Sequence, residues 1–180
     1  GERQMAVDNK LLGEFNLGNI FQRHGELQKA EVFIRKAIEL DPSFSMAYFN
    51  LGNIRKELGK TKESLNSFIK VIEINPQYVY TYNAITELLK YADPSQFEAT
   101  KLKKILNLLL DKNDVNHREL FRAFNFLYKK DLINSLEQSE NIFSKIKFIT
   151  HNKPIMNAVE KMIFCDPELE KVLESFRRNI

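Results

Sequence analysis

"FNLGNI" is written at residues 15–20 and again at residues 49–54, so one hexapeptide recurs at a spacing of 34 positions. The match extends outward in both directions. When residues 11–44 are laid over residues 45–78, Gly25 meets Gly59, Lys36 meets Lys70, and Pro42 meets Pro76. Ile38 and Glu39 meet Ile72 and Glu73, while Ile34 with Phe68, Ala30 with Ser64 and Asp41 with Asn75 keep their character. Self-similarity at a period of this length signals stacked helix pairs, because one hairpin cannot bury its apolar face alone.

The apolar spacing supports two helices per unit. Leu12, Leu17, Ile20 and Phe21 recur at helical intervals until Gly25 interrupts; Ala30, Ile34, Ala37 and Ile38 then follow until "LDP" ends the run. Gly25 and Gly59 suit the left-handed backbone that closes a helix and reverses the chain. Gly18 and Gly52, with Ala30 and Ser64, put small side chains where paired helices approach closely. Pro42 and Pro76 mark the passage to the next unit.

These residues resemble the tetratricopeptide repeat family. The matching positions are Leu17-Gly18, Phe21, Gly25, Ala30, Ile34, Ala37 and Pro42, then Leu51-Gly52, Gly59, Ser64, Phe68 and Pro76. Arg55 departs from the pattern where a large apolar residue is usual, and Val71 replaces the second alanine. The resemblance implies an all-α fold, an α-α superhelix with a helical C-terminal cap. It divides the chain into a lead-in (1–10), two repeats (11–44 and 45–78), a degenerate third (79–111) and a helical capping region (112–180). In the third unit Thr86 replaces the glycine and "ADPSQ" replaces the glycine turn. One helix is expected over about 78–91 and a second over about 95–110, Asp93 capping the second with Pro94 in its first turn.

Beyond residue 111 the helical period continues without the repeat. Leu120, Phe121, Phe124 and Leu127 form one stripe, followed by Leu132, Leu136, Ile142, Phe143 and Ile146. Ile155, Ala158, Val159, Met162 and Ile163 form another, and Leu169, Val172, Leu173 and Phe176 a last one. Asp166 and Pro167 start that last helix, with Glu168 and Glu170 in its first turn. A weaker resemblance links this Lys-, Ile- and Asn-rich segment to cyanobacterial repeat proteins that continue into a transferase-like domain. That implies, as the alternative to a free-standing interaction module, the substrate-recruiting arm of a multidomain transferase.

The bulk properties narrow the function. Lys and Arg number 27 against 24 Asp and Glu, interspersed along the chain, so no basic stripe tracks a phosphate backbone and nucleic acid is not expected as a partner. The single cysteine, Cys165, excludes an intrachain disulfide and favours a reducing, cytoplasmic setting; it is read as a structural thiol. No apolar run reaches membrane-spanning length. His24, His117 and His151 stand at turns or helix ends without metal-ligand spacing, and the acidic residues Glu137, Glu140, Glu168 and Glu170 read as solvated faces or caps. The chain is therefore expected to be no enzyme, with no catalytic residues, metal or cofactor.

What the resemblance implies instead is a protein or peptide partner held in the concave groove lined by the first helix of each unit. Its candidate residues are Leu12, Phe15, Asn16 and Asn19, then Met46, Phe49, Asn50 and Asn53, then Tyr80, Asn83 and Glu87. Mid-helix asparagine is unfavourable by propensity and so asks for a reason. A carboxamide can meet both halves of a peptide group, and Asn16 and Asn50 resemble the asparagine ladder of the O-linked N-acetylglucosamine transferase array. The competing reading is that these asparagines simply hydrogen-bond to neighbouring helices. A clamp for a C-terminal carboxylate is not expected: its positions fall at Phe15, Asn19, Asn50, Tyr80 and Ala84, where the two asparagines fit but every cationic position is lost. Self-association through exposed solenoid ends stays open.

Overall fold

The structure, a computed structural model, describes residues 1–138, 141–161 and 166–178; of Ile142, Glu160, Ser175, Phe176 and Arg177 it describes the backbone alone. The expectations for Glu140, Met162, Ile163 and Cys165, and for the side chains of Ile142 and Phe176, lie outside the described residues. Every regular element among the described residues is helical. The chain divides into two compact units, Gly1–Leu88 and Leu89–Ile180.

The first unit holds α1 (Glu2–Arg23), α2 (Leu27–Leu40), α3 (Ser45–Glu57), α4 (Thr61–Ile74) and most of α5 (Tyr80–Tyr91). Helix α1 pairs with α2 and α3 with α4, and both pairs reverse in the same way. Gly25 and Gly59 sit at φ of 76° and 74°. The amide of Gly25 donates to Gln22 at 3.0 Å and that of Glu26 to Phe21 at 2.9 Å; Gly59 and Lys60 repeat this onto Lys56 and Arg55 at 3.0 and 2.8 Å. This pair of hydrogen bonds onto the last helical carbonyls is the left-handed helix stop that a glycine permits.

Inside each pair a second glycine sets the spacing. A Cβ on Gly18 would stand 2.5 Å from Ile34 Cδ1, and one on Gly52 would stand 2.5 Å from Phe68 Cε1. Ile34 and Phe68 hold the same position in successive repeats and both are fully buried. Ser64, standing where the first repeat has Ala30, donates its hydroxyl to the Gly52 carbonyl at 2.7 Å. Ala30, Ile34, Ala47, Leu51 and Ile54 form the core between the two pairs, with Phe15, Phe21, Leu27, Ile38, Phe44 and Leu58 packed around it.

The departure at Arg55 has a local reason. In the first repeat Phe21 stacks on Phe33, ring centroids 5.1 Å apart. One period later the same two positions are Arg55 and Ser67, and the guanidinium Nη1 donates to Ser67 Oγ at 3.0 Å. Arg55 Nε also donates to Glu31 at 2.9 Å, and Lys60 Nζ donates to the other Glu31 oxygen at 2.6 Å. A ring contact inside one repeat has become an ionic tie between two.

Two expectations need correction, one in each unit. Leu17 and Ile20 carry the spacing of a packed stripe, yet their side chains are exposed by 42% and 48%. Their counterparts Leu51 and Ile54 are buried because the first helix pair covers them. In the degenerate unit, Asp93 does cap, accepting from the Ser95 amide at 2.9 Å. It opens only a 3-10 turn, Pro94–Gln96, and the α-helix (α6, Ala99–Leu110) begins later. Phe97 is extended and buried between the two, so its ring anchors the chain where the helix would otherwise run through. Thr86, in the glycine's place, is buried and satisfies its hydroxyl on the Tyr82 carbonyl at 2.8 Å.

The second unit contains α6, a 3-10 turn at His117–Leu120, α7 (Phe121–Gln138), α8 (Ile142–His151), α9 (Lys153–Lys161) and α10 (Pro167–Arg178). Leu102, Leu106, Leu109, Leu120, Phe124, Leu132, Leu136, Ile155, Leu169 and Leu173 make its core. Phe143, read as part of an apolar stripe, is instead 79% exposed; α8 buries Ile149. Helix α9 closes the end of α6: Lys161 donates to the Leu110 carbonyl at 2.6 Å, while Lys153 and Asn157 each bind Asp111 at 2.8 Å.

Asp166 caps α10 as expected, accepting from the amides of Glu168 and Leu169 at 3.1 Å. Its other oxygen takes Lys129 Nζ of α7 at 2.6 Å and Asn125 Nδ2 at 3.4 Å. The Lys129 ammonium, with the Leu169 amide and Asn125, holds the Asp166 carboxyl down to about 2. A carboxylate depressed on folding stabilises above its ordinary value and loses that contribution as pH falls through the folded one. Thermal stability of this unit should therefore decline between about pH 4 and pH 2. In Asp166→Asn that segment of the melting-temperature profile should flatten; an unchanged profile would assign the acid sensitivity elsewhere.

Candidate functional site

Helices α1, α3 and α5 present equivalent positions at each period. About 100° separates successive helical residues, so Phe15, Asn19, Leu12 and Asn16 share one side of α1. Phe49, Asn53, Met46 and Asn50 share the corresponding side of α3, and Asn83, Glu87 and Tyr80 that of α5. Three cross-helix contacts align these sides. Asn50 Nδ2 donates to Asn19 Oδ1 at 2.6 Å, Gln22 donates to Glu57 at 2.8 Å, and Lys56 meets Glu87 at 3.4 Å.

The candidates fall into three groups. Phe15 and Phe49 are half-buried and locked into aromatic contacts: Phe15 lies 4.8 Å from Phe44, and Phe49 lies 5.2 Å edge-on to Tyr78, the same pairing one repeat later. They build the floor. Asn19 and Asn50 bind each other, so the reading of asparagine as an inter-helix bond holds for this pair. The third group faces outward. Leu12, Met46 and Tyr80 occupy one position in three successive units and are exposed by 51%, 38% and 63%. Asn16 and Asn83 are exposed and Asn53 half-exposed, and among the described residues none of the three carboxamides has a hydrogen-bond partner.

The pairing explains which asparagines stay open. The second asparagine of one repeat binds the first of the next, so Asn53 should reach residue 84. That residue is Ala84, which offers nothing to bind. Asn16 would need a preceding helix to answer it. The contacts Gln22–Glu57 and Lys56–Glu87 border this strip, and spacing within a single helix gave no sign of them. The signal was the period itself, which places Gln22 and Lys56 in register on neighbouring helices.

No group of three or more His, Cys, Asp or Glu able to hold a metal occurs among the described residues. His24 caps the end of α1, His117 binds the Lys112 carbonyl at 2.7 Å, and His151 ends α8. No helix among the described residues is long and apolar enough to cross a membrane.

Comparison with known proteins agrees with the pairing of helices. Tetratricopeptide repeat models match residues 13–44 and, in an overlapping register, residues 33–66. Residues 13–66 carry tetratricopeptide repeats. No curated protein matches the chain. Among solved structures, the crystal structure of YrrB, described as a TPR protein with an unusual peptide-binding site, is similar over 97% of this chain and 90% of that one, at 18% identity and a TM-score of 0.47. Within the tetratricopeptide repeats, Phe15, Asn16, Asn19, Phe49, Asn50 and Asn53 all lie inside the matched residues, whereas Leu12 just precedes them and Tyr80, Asn83 and Glu87 follow.

Proposed function

We propose that the outward strip of α1, α3 and α5 binds an extended segment of a protein partner. The observation that carries this reading is the column Leu12, Met46 and Tyr80, one exposed apolar side chain per unit at the same position of the repeat. Beside it stand the unpaired carboxamides of Asn16, Asn53 and Asn83. Packed helices lie about 8–10 Å apart and an extended strand advances about 3.3 Å per residue. Every third residue of a bound segment therefore meets the next apolar rung, while the asparagines take the intervening peptide groups. The rim pairs its own charges, Lys56 with Glu87, so affinity rests on apolar and amide contacts and changes little with salt.

Fluorescence polarisation against a peptide library tests this, with Met46→Ser and the pair Asn16→Ala/Asn53→Ala as variants. All three side chains are at least partly exposed, so the fold should hold. Each variant should weaken the selected peptides about tenfold, or about 1.4 kcal/mol. Peptides that bind both variants as tightly as wild type would refute the strip as the site. Asn50→Ala separates the two roles of asparagine: it should lower stability by about 1 kcal/mol through loss of the Asn19 bond and leave peptide contacts in place.

A further inference from the structure

The bond between Asn19 and Asn50 shows what an asparagine at this position of the strip pairs with, and one repeat later that partner has been replaced. Asn50 Nδ2 donates to Asn19 Oδ1 at 2.6 Å, across 31 positions of sequence. Lys56 and Glu87 are likewise 31 positions apart and meet at 3.4 Å. Helix α5 therefore stands against α3 in the register that α3 keeps against α1. About one turn before the Lys56–Glu87 contact, that register brings Asn53 beside Ala84, one period after Asn19 and Asn50. Where Asn50 carries a carboxamide, Ala84 carries a methyl group.

The surroundings make this a bounded notch between two helices. Ala84, exposed by 9%, is its floor. The Lys56–Glu87 pair closes one end. Tyr80, one turn back on α5, borders the other; its ring is held 5.4 Å from that of Tyr78, which itself lies edge-on to Phe49. Asn53 forms the α3 wall, half-exposed and without a hydrogen-bond partner among the described residues.

The first two helices indicate the chemistry that fits. A carboxamide offers a donor and an acceptor together, so it pairs with Asn53 in either rotation of that amide. An ionised carboxylate has no donor and would stand beside the Glu87 carboxylate. An apolar side chain would cover Asn53 and leave it unsatisfied, which costs binding. The notch lies about 6 Å along α5 from Tyr80, beside the path of a segment that crosses the apolar column.

We infer that a carboxamide side chain of the bound segment, asparagine or glutamine, enters this notch over Ala84 and pairs with Asn53. Ala84 thereby sets the specificity of the strip. The inference rests on the reading of the strip as a peptide site, and it gives Asn53 a side-chain partner where Asn16 and Asn83 take backbone amides. The carboxamide belongs to a residue lying between the two apolar residues that meet Met46 and Tyr80.

Selection from a peptide library with apolar residues at every third position, and all amino acids between them, reads this out. On wild type, asparagine or glutamine should be enriched at one position between two apolar ones. Replacing it by leucine or aspartate should weaken binding about tenfold in fluorescence polarisation. Ala84→Asn supplies the carboxamide from within the chain, as Asn50 does for Asn19, and Asn53→Ala removes the group it would meet. In each variant the asparagine, leucine and aspartate peptides should bind alike, with the far-ultraviolet circular dichroism of wild type. Peptides whose binding needs Met46 but shows no carboxamide preference overturn the inference and leave the strip as the site. A preference that survives both variants does the same. A library from which nothing binds wild type removes the strip and the inference together.

Discussion

Phe68→Ala is expected to lower the unfolding free energy of the first unit by about 3–5 kcal/mol, and Gly52→Ala by about 1–3 kcal/mol. The two effects come from one contact. Phe68 is fully buried, and a methyl on Gly52 would stand 2.5, 2.7 and 2.9 Å from three of its ring atoms. A rigid ring cannot swing one atom aside; it must move as a plane against a packed core. In the double variant the methyl enters space the ring has vacated, so the combined loss should fall short of the sum of the single losses. Gly18→Ala supplies the contrast. Its nearest neighbours are Ile34 Cδ1 and Cγ1, at 2.5 and 2.6 Å, and the Ile34 backbone nitrogen at 3.2 Å; rotation of the side chain relieves the first two contacts and leaves the third. The chain has no tryptophan, so denaturant titrations followed by far-ultraviolet circular dichroism are the suitable measurement. Strict additivity at Gly52 and Phe68, or a Gly52→Ala variant as stable as wild type, would mean that the helices are not held at glycine distance.

The repeated hexapeptide made the close approach of the helices legible in advance, through Gly18 and Gly52 with Ala30 and Ser64, but not the ring of Phe68 that fills the space over Gly52. A glycine recurring with a small partner residue at a fixed period says that two backbones must come close, whatever the rest of the sequence does. Gly25 and Gly59 were readable for a similar reason, since few residues end a helix in the left-handed region. Sequence spacing failed where the answer lay in the neighbouring helix. Leu17 and Ile20 have the pattern of core residues and would be core if a helix pair lay over them; periodicity reports the face, not its occupant. Asn50 looked like a ladder rung in line with Asn16, but its bond to Asn19 depends on the offset of α1 against α3. Asn53 is left open only because Ala84 breaks the third repeat. Arg55 read as a flaw in the pattern, and its sense appeared only with Ser67 and Glu31 beside it.

That ionic tie supports the second large effect. Glu31→Ala should cost the first unit about 2–3 kcal/mol. The carboxylate is nearly buried, taking Arg55 on one oxygen at 2.9 Å and Lys60 on the other at 2.6 Å. Its removal leaves the Arg55 guanidinium, itself only 20% exposed, with Ser67 and the Glu63 carbonyl as remaining partners. Burial raises the Glu31 carboxyl, but the hydrogen bonds and charges of Lys60 and Arg55 outweigh it, and the net shift is downward. The sign follows: the tie is fully present above the ordinary carboxylate range and is lost as pH falls through the depressed folded value. Glu31→Gln should therefore cost less than Glu31→Ala and remove this part of the acid sensitivity. The chain also contains its own apolar solution, since the three positions read Phe21, Phe33 and Leu65 in the other repeat. Arg55→Phe, Ser67→Phe and Glu31→Leu together should recover most of the loss, because apolar replacement of a whole buried ion pair is often neutral or stabilising. If the triple variant unfolds as readily as Glu31→Ala, these charges do more than join two repeats. If Glu31→Ala alone melts like wild type, the tie between the first two repeats rests on the apolar core.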